Sequence, residues 1–216
     1  MTDIYDLLPT YKETNIDIKY DFYKDYIKNN YFKDKLHNRI EYIKNKFNEN
    51  GSFDSIIICY FVEIFSWSVL PQELLFTISD YLCDNNVKYI VDPCCGNSFH
   101  TFLFEHFCGF NVLSCDNQKE ENAWTDIIEK DGIKFLDDLN EAHHIEGALL
   151  LSWIEGEELA FQLLENYIGD YLISIGNYTN NTRYMDDLNY YYELKIKINM
   201  NMPWGLKEKI EIYKRK

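Results

Sequence analysis

The pattern of hydrophobic and polar residues divides the chain into a helical first part and an alternating second part. In the first part, one stripe of apolar residues has helical spacing: Leu36, Ile40, Ile43 and Phe47. Residues 1–50 are therefore predicted to form a helical N-terminal extension or lid. Residues 53–67 are apolar on nearly every face, which is typical of a helix packed between two layers. Pro71 suits the first turn of another helix, expected to run to about Tyr81.

From residue 87 onward, short apolar runs alternate with amphipathic segments. The predicted strands are 87–92, 111–116, 125–129, 148–153 and 171–176, and the predicted helices are 98–107, 132–140, 157–167 and 183–191. Such alternation indicates an α/β fold, a mostly parallel sheet with helices on both faces, within a domain of residues 51–216. Two runs of alternating apolar and charged residues flank Pro203-Trp204-Gly205, so the chain is expected to end in an antiparallel β-hairpin at a sheet edge.

Composition narrows the function classes. The chain has 216 residues, 46% of them hydrophobic, and a formal net charge of −15, which disfavours strong binding to nucleic acid. Its six cysteines form no C-x-x-C pair, so reduced, buried thiols are expected rather than disulfides or a zinc site. Asp3 and Asp6 stand where a signal peptide would be basic, and no apolar run is long enough for a membrane span. A cytoplasmic protein is expected.

The segment Tyr89–Ser98, YIVDPCCGNS, contains the first candidate site. An apolar strand ends on Asp92 and enters a tight turn that contains Gly96, and a predicted helix follows. Strand, turn and helix in this order place backbone N–H groups at the carboxyl edge of a sheet, where α/β proteins bind nucleotide-like ligands. An ordinary βα turn is the alternative. A dinucleotide-binding G-x-G-x-x-G would need glycines that are absent.

Two further acids follow the next predicted strands. Asp116 closes the second strand, beside the first turn, where it would accept hydrogen bonds from a ribose diol. Asp131-Gly132 follows the third strand and would face a base or an exocyclic amine. For both acids, a helix N-cap or a solvated turn is the structural alternative. The histidines, including His100 and His106, are expected to be satisfied or solvated, because a six-residue spacing does not place two metal ligands on one helix face.

With these motifs, residues 63–216 resemble the class I S-adenosylmethionine-dependent methyltransferases, which have a Rossmann-like fold. VDPCCGNS is similar to their first motif, SCD to the second, DG to the third and LLLSWIEGE to the fourth. The resemblance implies that S-adenosylmethionine is the cofactor. The implied cofactor-binding residues are Asp92, Cys94, Gly96 and Ser98 in the first motif, Asp116 and Asn117 in the second, Asp131 and Gly132 in the third, and Ser152 in the fourth.

The methyl acceptor is expected to be a small molecule or a protein side chain. Trp153 would lie against the sulfonium or an ammonium substrate, and Glu155 would hold or deprotonate the acceptor. A core plug for Trp153 and a capping acid for Glu155 are the alternatives. Ser98 stands where the family usually has a second glycine, and it is expected to cap the following helix. Because the first and fourth motifs depart from the family pattern, a methyltransferase-like binding protein without turnover stays open.

Overall fold

The computed structural model describes residues 62, 65–68, 70, 72–119, 123–142, 147–154, 156–176, 182–201 and 207–216. The predicted N-terminal extension lies outside these residues. The helices are α1 (Gln72–Asp84), α2 (Phe99–Cys108), α3 (Gly132–Glu141), α4 (Glu157–Asn166) and α5 (Thr182–Tyr191). The strands are β1 (Tyr89–Asp92), β2 (Asn111–Asp116), β3 (Ile128–Glu129), β4 (Gly147–Ser152), β5 (Tyr171–Gly176), β6 (Tyr192–Asn201) and β7 (Lys207–Arg215).

These strands form one sheet in the order β3-β2-β1-β4-β5-β7-β6. The first five in this order are parallel to one another, and β7 is antiparallel to both of its neighbours. The hairpin of β6 and β7 therefore ends the sheet, with the reversed strand β7 lying between β5 and β6. The predicted α/β architecture with a C-terminal antiparallel hairpin is confirmed.

The two faces of the sheet bury separate apolar clusters. In β1, the neighbours Ile90 and Val91 belong to different clusters, because successive side chains of a strand point to opposite faces. Helices α1 and α2 pack on the Ile90 face, whereas α3, α4 and α5 pack on the Val91 face. Every residue of β5 is buried, as expected for a strand covered on both faces.

Several predicted boundaries differ from those of the structure. Phe65 to Ser68 form a turn and a bend, so the helix predicted over 53–67 does not reach Trp67. The strand predicted over 125–129 shrinks to Ile128–Glu129, whose residues are both exposed. The fourth strand ends at Ser152 rather than Trp153.

The five described cysteines are free thiols, but only Cys115 is fully buried and Cys83 is exposed. The prediction of buried thiols therefore holds for Cys115 alone among them. No helix in the described part of the chain is long and apolar enough to cross a membrane.

Candidate functional site

The turn after β1 is the centre of the site. Gly96 has φ of +54°, a left-handed conformation that glycine adopts without steric cost. Backbone hydrogen bonds fix the turn, since Cys95 N–H donates to the Cys115 carbonyl at 3.0 Å and Ser98 N–H donates to the Cys95 carbonyl at 2.8 Å. The turn is thereby attached to β2 as well as to β1.

Ser98 plays a different part from the one predicted. Its φ of 59° is also left-handed, which explains why this position favours glycine. Its side chain makes no helix cap, and its Oγ accepts a hydrogen bond from the Thr125 N–H at 2.9 Å. The capping contact comes from Asn97 Oδ1, which accepts from the Phe99 N–H at 3.1 Å. Ser98 is fully buried and ties the turn to the loop before β3.

Asp116, at the end of β2, meets this turn. Its Oδ2 accepts a hydrogen bond from the Gly96 N–H at 2.9 Å, and its Oδ1 accepts from the Gln118 N–H at 3.2 Å. A carboxylate oxygen has two lone pairs, so both oxygens retain the capacity to accept a ligand hydroxyl. The predicted proximity of the second acid to the first turn is thus present.

A cavity of about 600 Å³ opens at this edge of the sheet. Nine of the predicted site residues line it: Asp92, Cys94, Gly96, Asp116, Asn117, Asp131, Gly132, Ser152 and Trp153. Ser98 does not line it, and Glu155 lies outside the described residues. The cavity wall also contains residues that were not predicted to belong to the site: Val62, Ser66, Trp67, Cys95, Asn97, His100, Ile154 and Leu159.

Asp131 and Gly132 combine a structural role with a place on the wall. Asp131 Oδ1 accepts a hydrogen bond from the Lys134 N–H at 3.0 Å, so Asp131 is the N-cap of α3. A helix N-cap was the structural alternative to a ligand-binding role for this residue. A Cβ at position 132 would stand 2.5 Å from the Pro93 carbonyl oxygen. Glycine is therefore required for α3 to approach the turn after β1.

Asp92 is the buried acid of the site, with 3% of its surface exposed. Burial raises its pKa to about 7, and the Asp116 charge also raises it, while a hydrogen bond from Thr101 Oγ1 at 3.0 Å has the opposite effect. A carboxyl group with this pKa changes charge near neutral pH. It is therefore sensitive to the charge of any molecule that enters the cavity.

The thiols beside these acids are not activated. Burial, together with the charges of Asp92, Asp116 and Asp131, raises the pKa of Cys94 to about 12. Burial raises the pKa of Cys95 as well. Because a thiolate is the reactive form of cysteine, neither thiol is suited to nucleophilic catalysis, and both serve as neutral wall groups.

Trp153 begins the segment after β4 in a left-handed conformation, with φ of 51°. Its backbone N–H donates to the Ile175 carbonyl at 3.0 Å, and its indole Nε1–H donates to Ser68 Oγ at 2.6 Å. The indole lies 5.8 Å from the ring of Trp67, centroid to centroid. Trp153 is thus neither a strand residue nor a simple core plug, because its ring is held on the cavity wall.

The hydroxyl of Ser68 links Trp153 to a buried acid. Ser68 Oγ donates to Glu208 Oε2 near the start of β7, and both Ser68 and Glu208 are buried. Burial raises the pKa of Glu208 to about 7, whereas the hydrogen bonds from Ser68 and Trp153 lower it. The other carboxyl oxygen, Oε1, has no hydrogen-bond partner among the described residues.

His100 departs from the expectation of a satisfied or solvated histidine. It is buried, lines the cavity, and its Nε2 has no hydrogen-bond partner among the described residues. Burial lowers its pKa to about 4, and a hydrogen bond with the Ser68 backbone opposes that shift. His106, on the same helix, is exposed. The described residues contain no group of three or more metal-ligating side chains.

The charge of the cavity wall is one-sided. Three carboxyl groups line it, and none of the described wall residues is lysine or arginine. A wall of this kind attracts cations and neutral hydrogen-bond donors, whereas it repels phosphates and carboxylates.

Comparison with known proteins gives only distant similarities. No protein-family model matches the chain, and no curated protein matches it. Among solved structures, the chain is similar to magnesium protoporphyrin IX methyltransferase from Synechocystis PCC 6803 with bound SAM, at 13% identity and a TM-score of 0.46 over 78% of this chain and 100% of that chain.

It is also similar to a SAM-dependent O-methyltransferase from Thermotoga maritima, at 12% identity and a TM-score of 0.39 over 68% of this chain and 66% of that chain. A methyltransferase from Pyrococcus furiosus is 11% identical, with a TM-score of 0.37 over 83% of this chain and 98% of that chain. Because these TM-scores are all below 0.5, function must be inferred from the residues of the site.

Proposed function

We propose that this protein is an S-adenosylmethionine-dependent methyltransferase that acts on a small molecule or a protein side chain. The observation that carries the proposal is the acidic cavity at the strand ends, where Asp92, Asp116 and Asp131 surround a glycine turn. The ligand that fits is an adenosyl compound with positive charge, since a ribose needs hydrogen-bond acceptors and a sulfonium needs a negative environment. A dinucleotide would bring a pyrophosphate to a wall whose described residues include no lysine or arginine.

The chain offers a place for each part of the cofactor. Asp116 would bind the ribose hydroxyls, and Asp131 would face the adenine through the oxygen that does not cap α3. Asp92, Cys94 and Gly96 would lie along the methionine part. A Cβ at Gly96 would meet no atom within 4 Å, so the backbone there faces open space and allows a close approach. The cavity volume of about 600 Å³ is within the range of about 300–1,000 Å³ for small-molecule sites.

The bound cofactor would supply an electrophilic methyl group, whose bond to sulfur breaks as a bond to the acceptor forms and the acceptor loses a proton. The protein would mainly orient the acceptor and exclude water from the reacting groups. The location of Ser152 and Trp153 on the cavity wall at the end of β4, next to β1 in the sheet, supports this role for them. Glu155 is proposed on the acceptor side from its position in the fourth motif.

Calorimetric titration with S-adenosylmethionine, S-adenosylhomocysteine and NAD tests the class of protein. Binding of the first two without NAD is expected, together with formation of S-adenosylhomocysteine when acceptors from a cell extract are supplied. Preference for NAD would overturn the proposal. Binding without product from any acceptor would leave the fold with a binding function in place of catalysis.

Replacement of Asp116 tests the ribose contact. Asp116→Ala is expected to weaken S-adenosylmethionine binding by about 1.5–3 kcal/mol, the value of a charge-assisted hydrogen bond. Asp126→Ala is the matched control, because Asp126 is a fully exposed acid that contacts Lys119 and does not line the cavity. Equal affinity of wild type and Asp116→Ala would remove the ribose assignment.

A further inference from the structure

The cavity extends beyond the three acids to a second region on the β4 side of β1. Because the sheet order is β3-β2-β1-β4, the ends of β2 and β4 lie on opposite sides of the first turn. The wall of this second region, here called the β4-side wall, consists of Ser66, Trp67, His100 and Trp153. None of these four residues is one of the acids proposed for the cofactor.

His100 supplies the one buried polar atom on this wall whose hydrogen-bonding capacity is unused among the described residues. Its Nε2 is buried without a partner, although a buried polar nitrogen normally has one. Leaving a buried group of this kind unsatisfied is unfavourable. A ligand group that meets Nε2 would recover this free energy.

The state of the imidazole defines which ligand group fits. The ring makes a hydrogen bond with the backbone of Ser68 that raises its pKa, as expected when a ring N–H donates to a carbonyl. Since Nε2 is the nitrogen without a partner, this N–H belongs to Nδ1. In the neutral ring, Nε2 then holds a lone pair and accepts a hydrogen bond. The ligand must therefore present an O–H or N–H donor.

Two indole rings define the shape of the ligand. Trp67 and Trp153 lie 5.8 Å apart with an interplanar angle of 33°, and Trp67 is 43% exposed beside the cavity. Trp153 is fixed through Ser68 and Glu208, so its ring is a rigid surface. Exposed indole faces bind planar apolar groups well because they bury a large area with few rotatable bonds.

Charge removes one class of ligand. With three carboxyl groups on the cavity wall and Glu208 behind Trp153, an anionic acceptor would be repelled. Neutral imidazole at His100 offers an anion no compensating charge.

We infer that the β4-side wall binds the methyl acceptor, and that this acceptor is a planar aromatic molecule without negative charge whose hydroxyl group donates a hydrogen bond to His100 Nε2 while its ring packs against Trp67 and Trp153. This inference rests on the proposed function, because only a methyltransferase would use the bound molecule as a methyl acceptor. The binding of such a molecule does not depend on turnover.

Three naphthalene derivatives with the same ring system test the inference by binding alone. 2-Naphthol has the hydroxyl donor, 2-methoxynaphthalene lacks it, and 2-naphthoate is an anion. Binding to the protein saturated with S-adenosylhomocysteine is measured by calorimetry and by quenching of tryptophan fluorescence. 2-Naphthol is expected to bind about tenfold more tightly than 2-methoxynaphthalene, as one recovered hydrogen bond of about 1.4 kcal/mol requires. 2-Naphthoate is expected to bind most weakly.

Variants of His100 separate the hydrogen bond from packing. His100→Phe should abolish the preference for 2-naphthol over 2-methoxynaphthalene, whereas His100→Gln should restore part of it because its amide oxygen accepts a hydrogen bond. His106→Phe is the matched control, since it makes the same exchange at an exposed position of α2 and should leave the preference unchanged. Thermal melts of each variant identify any loss of folding.

Several outcomes would overturn the inference. They are equal binding of 2-naphthol and 2-methoxynaphthalene to wild type, retention of the preference in a folded His100→Phe, tightest binding of 2-naphthoate, or no binding of any of the three. If S-adenosylmethionine does not bind wild type, the proposed function fails. If S-adenosylmethionine binds but the preference for 2-naphthol is the same in wild type and in the His100 variants, only the acceptor assignment fails.

Discussion

The buried carboxyl of Asp92 is expected to make binding of the proposed cofactor dependent on pH. With a pKa of about 7, this group is charged in about half of the molecules at neutral pH, in about one tenth at pH 6 and in about nine tenths at pH 8. A cationic ligand favours the charged form. The fraction of protein ready to bind S-adenosylmethionine is therefore expected to rise with pH through this range.

The size of the effect follows from the same pKa. A cation within about 5 Å of a carboxylate interacts with it by about 3 kcal/mol at an effective dielectric constant of about 20. This would lower the pKa of Asp92 in the complex by about two units, since one unit corresponds to about 1.4 kcal/mol. The contribution of Asp92 to affinity should then fall about tenfold between pH 8 and pH 6.

Asp92→Asn is the corresponding variant. Its side chain has the same shape and can still accept a hydrogen bond from Thr101, but it has no charge to lose. Its affinity is expected to be weaker than that of wild type by about a hundredfold at pH 8, and by only about tenfold at pH 6. The neutral ligand 5′-methylthioadenosine should bind both proteins with little dependence on pH.

Calorimetry in buffers of different ionisation enthalpy measures the protons released. Wild type should release about half a proton per S-adenosylmethionine more than Asp92→Asn at pH 7. The α-amino group of the ligand also titrates, at about pH 8, and comparison with the variant at each pH removes its contribution. Parallel loss of affinity in the two proteins from pH 8 to pH 6 would refute the reasoning.

Two further predictions concern stability. Gly132→Ala should destabilise the fold by about 1–3 kcal/mol in urea unfolding, because its Cβ would stand 2.5 Å from the Pro93 carbonyl oxygen; an unchanged midpoint would contradict the close packing of α3. The folded-state pKa of Glu208, about 7, is raised above its unfolded value of 4.5, so wild type should lose stability as pH rises between these values. Glu208→Gln should remove up to about 3 kcal/mol of this loss above pH 7. Parallel pH profiles of unfolding free energy for wild type and Glu208→Gln would exclude this effect of Glu208.

The regular elements could be predicted because their patterns are local. The bounds of β2 and β5 agree with the sequence prediction, since β5 is a nearly continuous apolar run that ends at Gly176 and β2 ends at the acidic Asp116. The positions of Asp92 and Asp116 followed from the rule that parallel strands present their carboxyl ends at one edge. By contrast, β3 is short and exposed, so no alternation of apolar and polar residues in the sequence indicated its bounds.

The contacts of Trp153 and His100 on the β4-side wall could not be predicted from local sequence patterns. Ser68 is 85 residues from Trp153 and 140 residues from Glu208, and no periodicity reports contacts over such distances. His100 and Thr101 are the polar residues of an otherwise apolar helix start, which gave no sign that His100 Nε2 would be buried without a partner. The packing of α2 against Ser68, in the segment before α1, contributes to that environment.

The hydrogen bonds from Trp153 through Ser68 to Glu208 explain how an unfavourable backbone conformation is kept at the end of β4. A left-handed φ is uncommon for a bulky residue, and here it turns the chain out of the sheet immediately after Ser152. The indole hydrogen bond and the backbone bond to Ile175 hold Trp153 from both sides. Since such strain persists only where the surroundings fix it, and since it brings the indole to the cavity wall, it points to a role for this ring in binding.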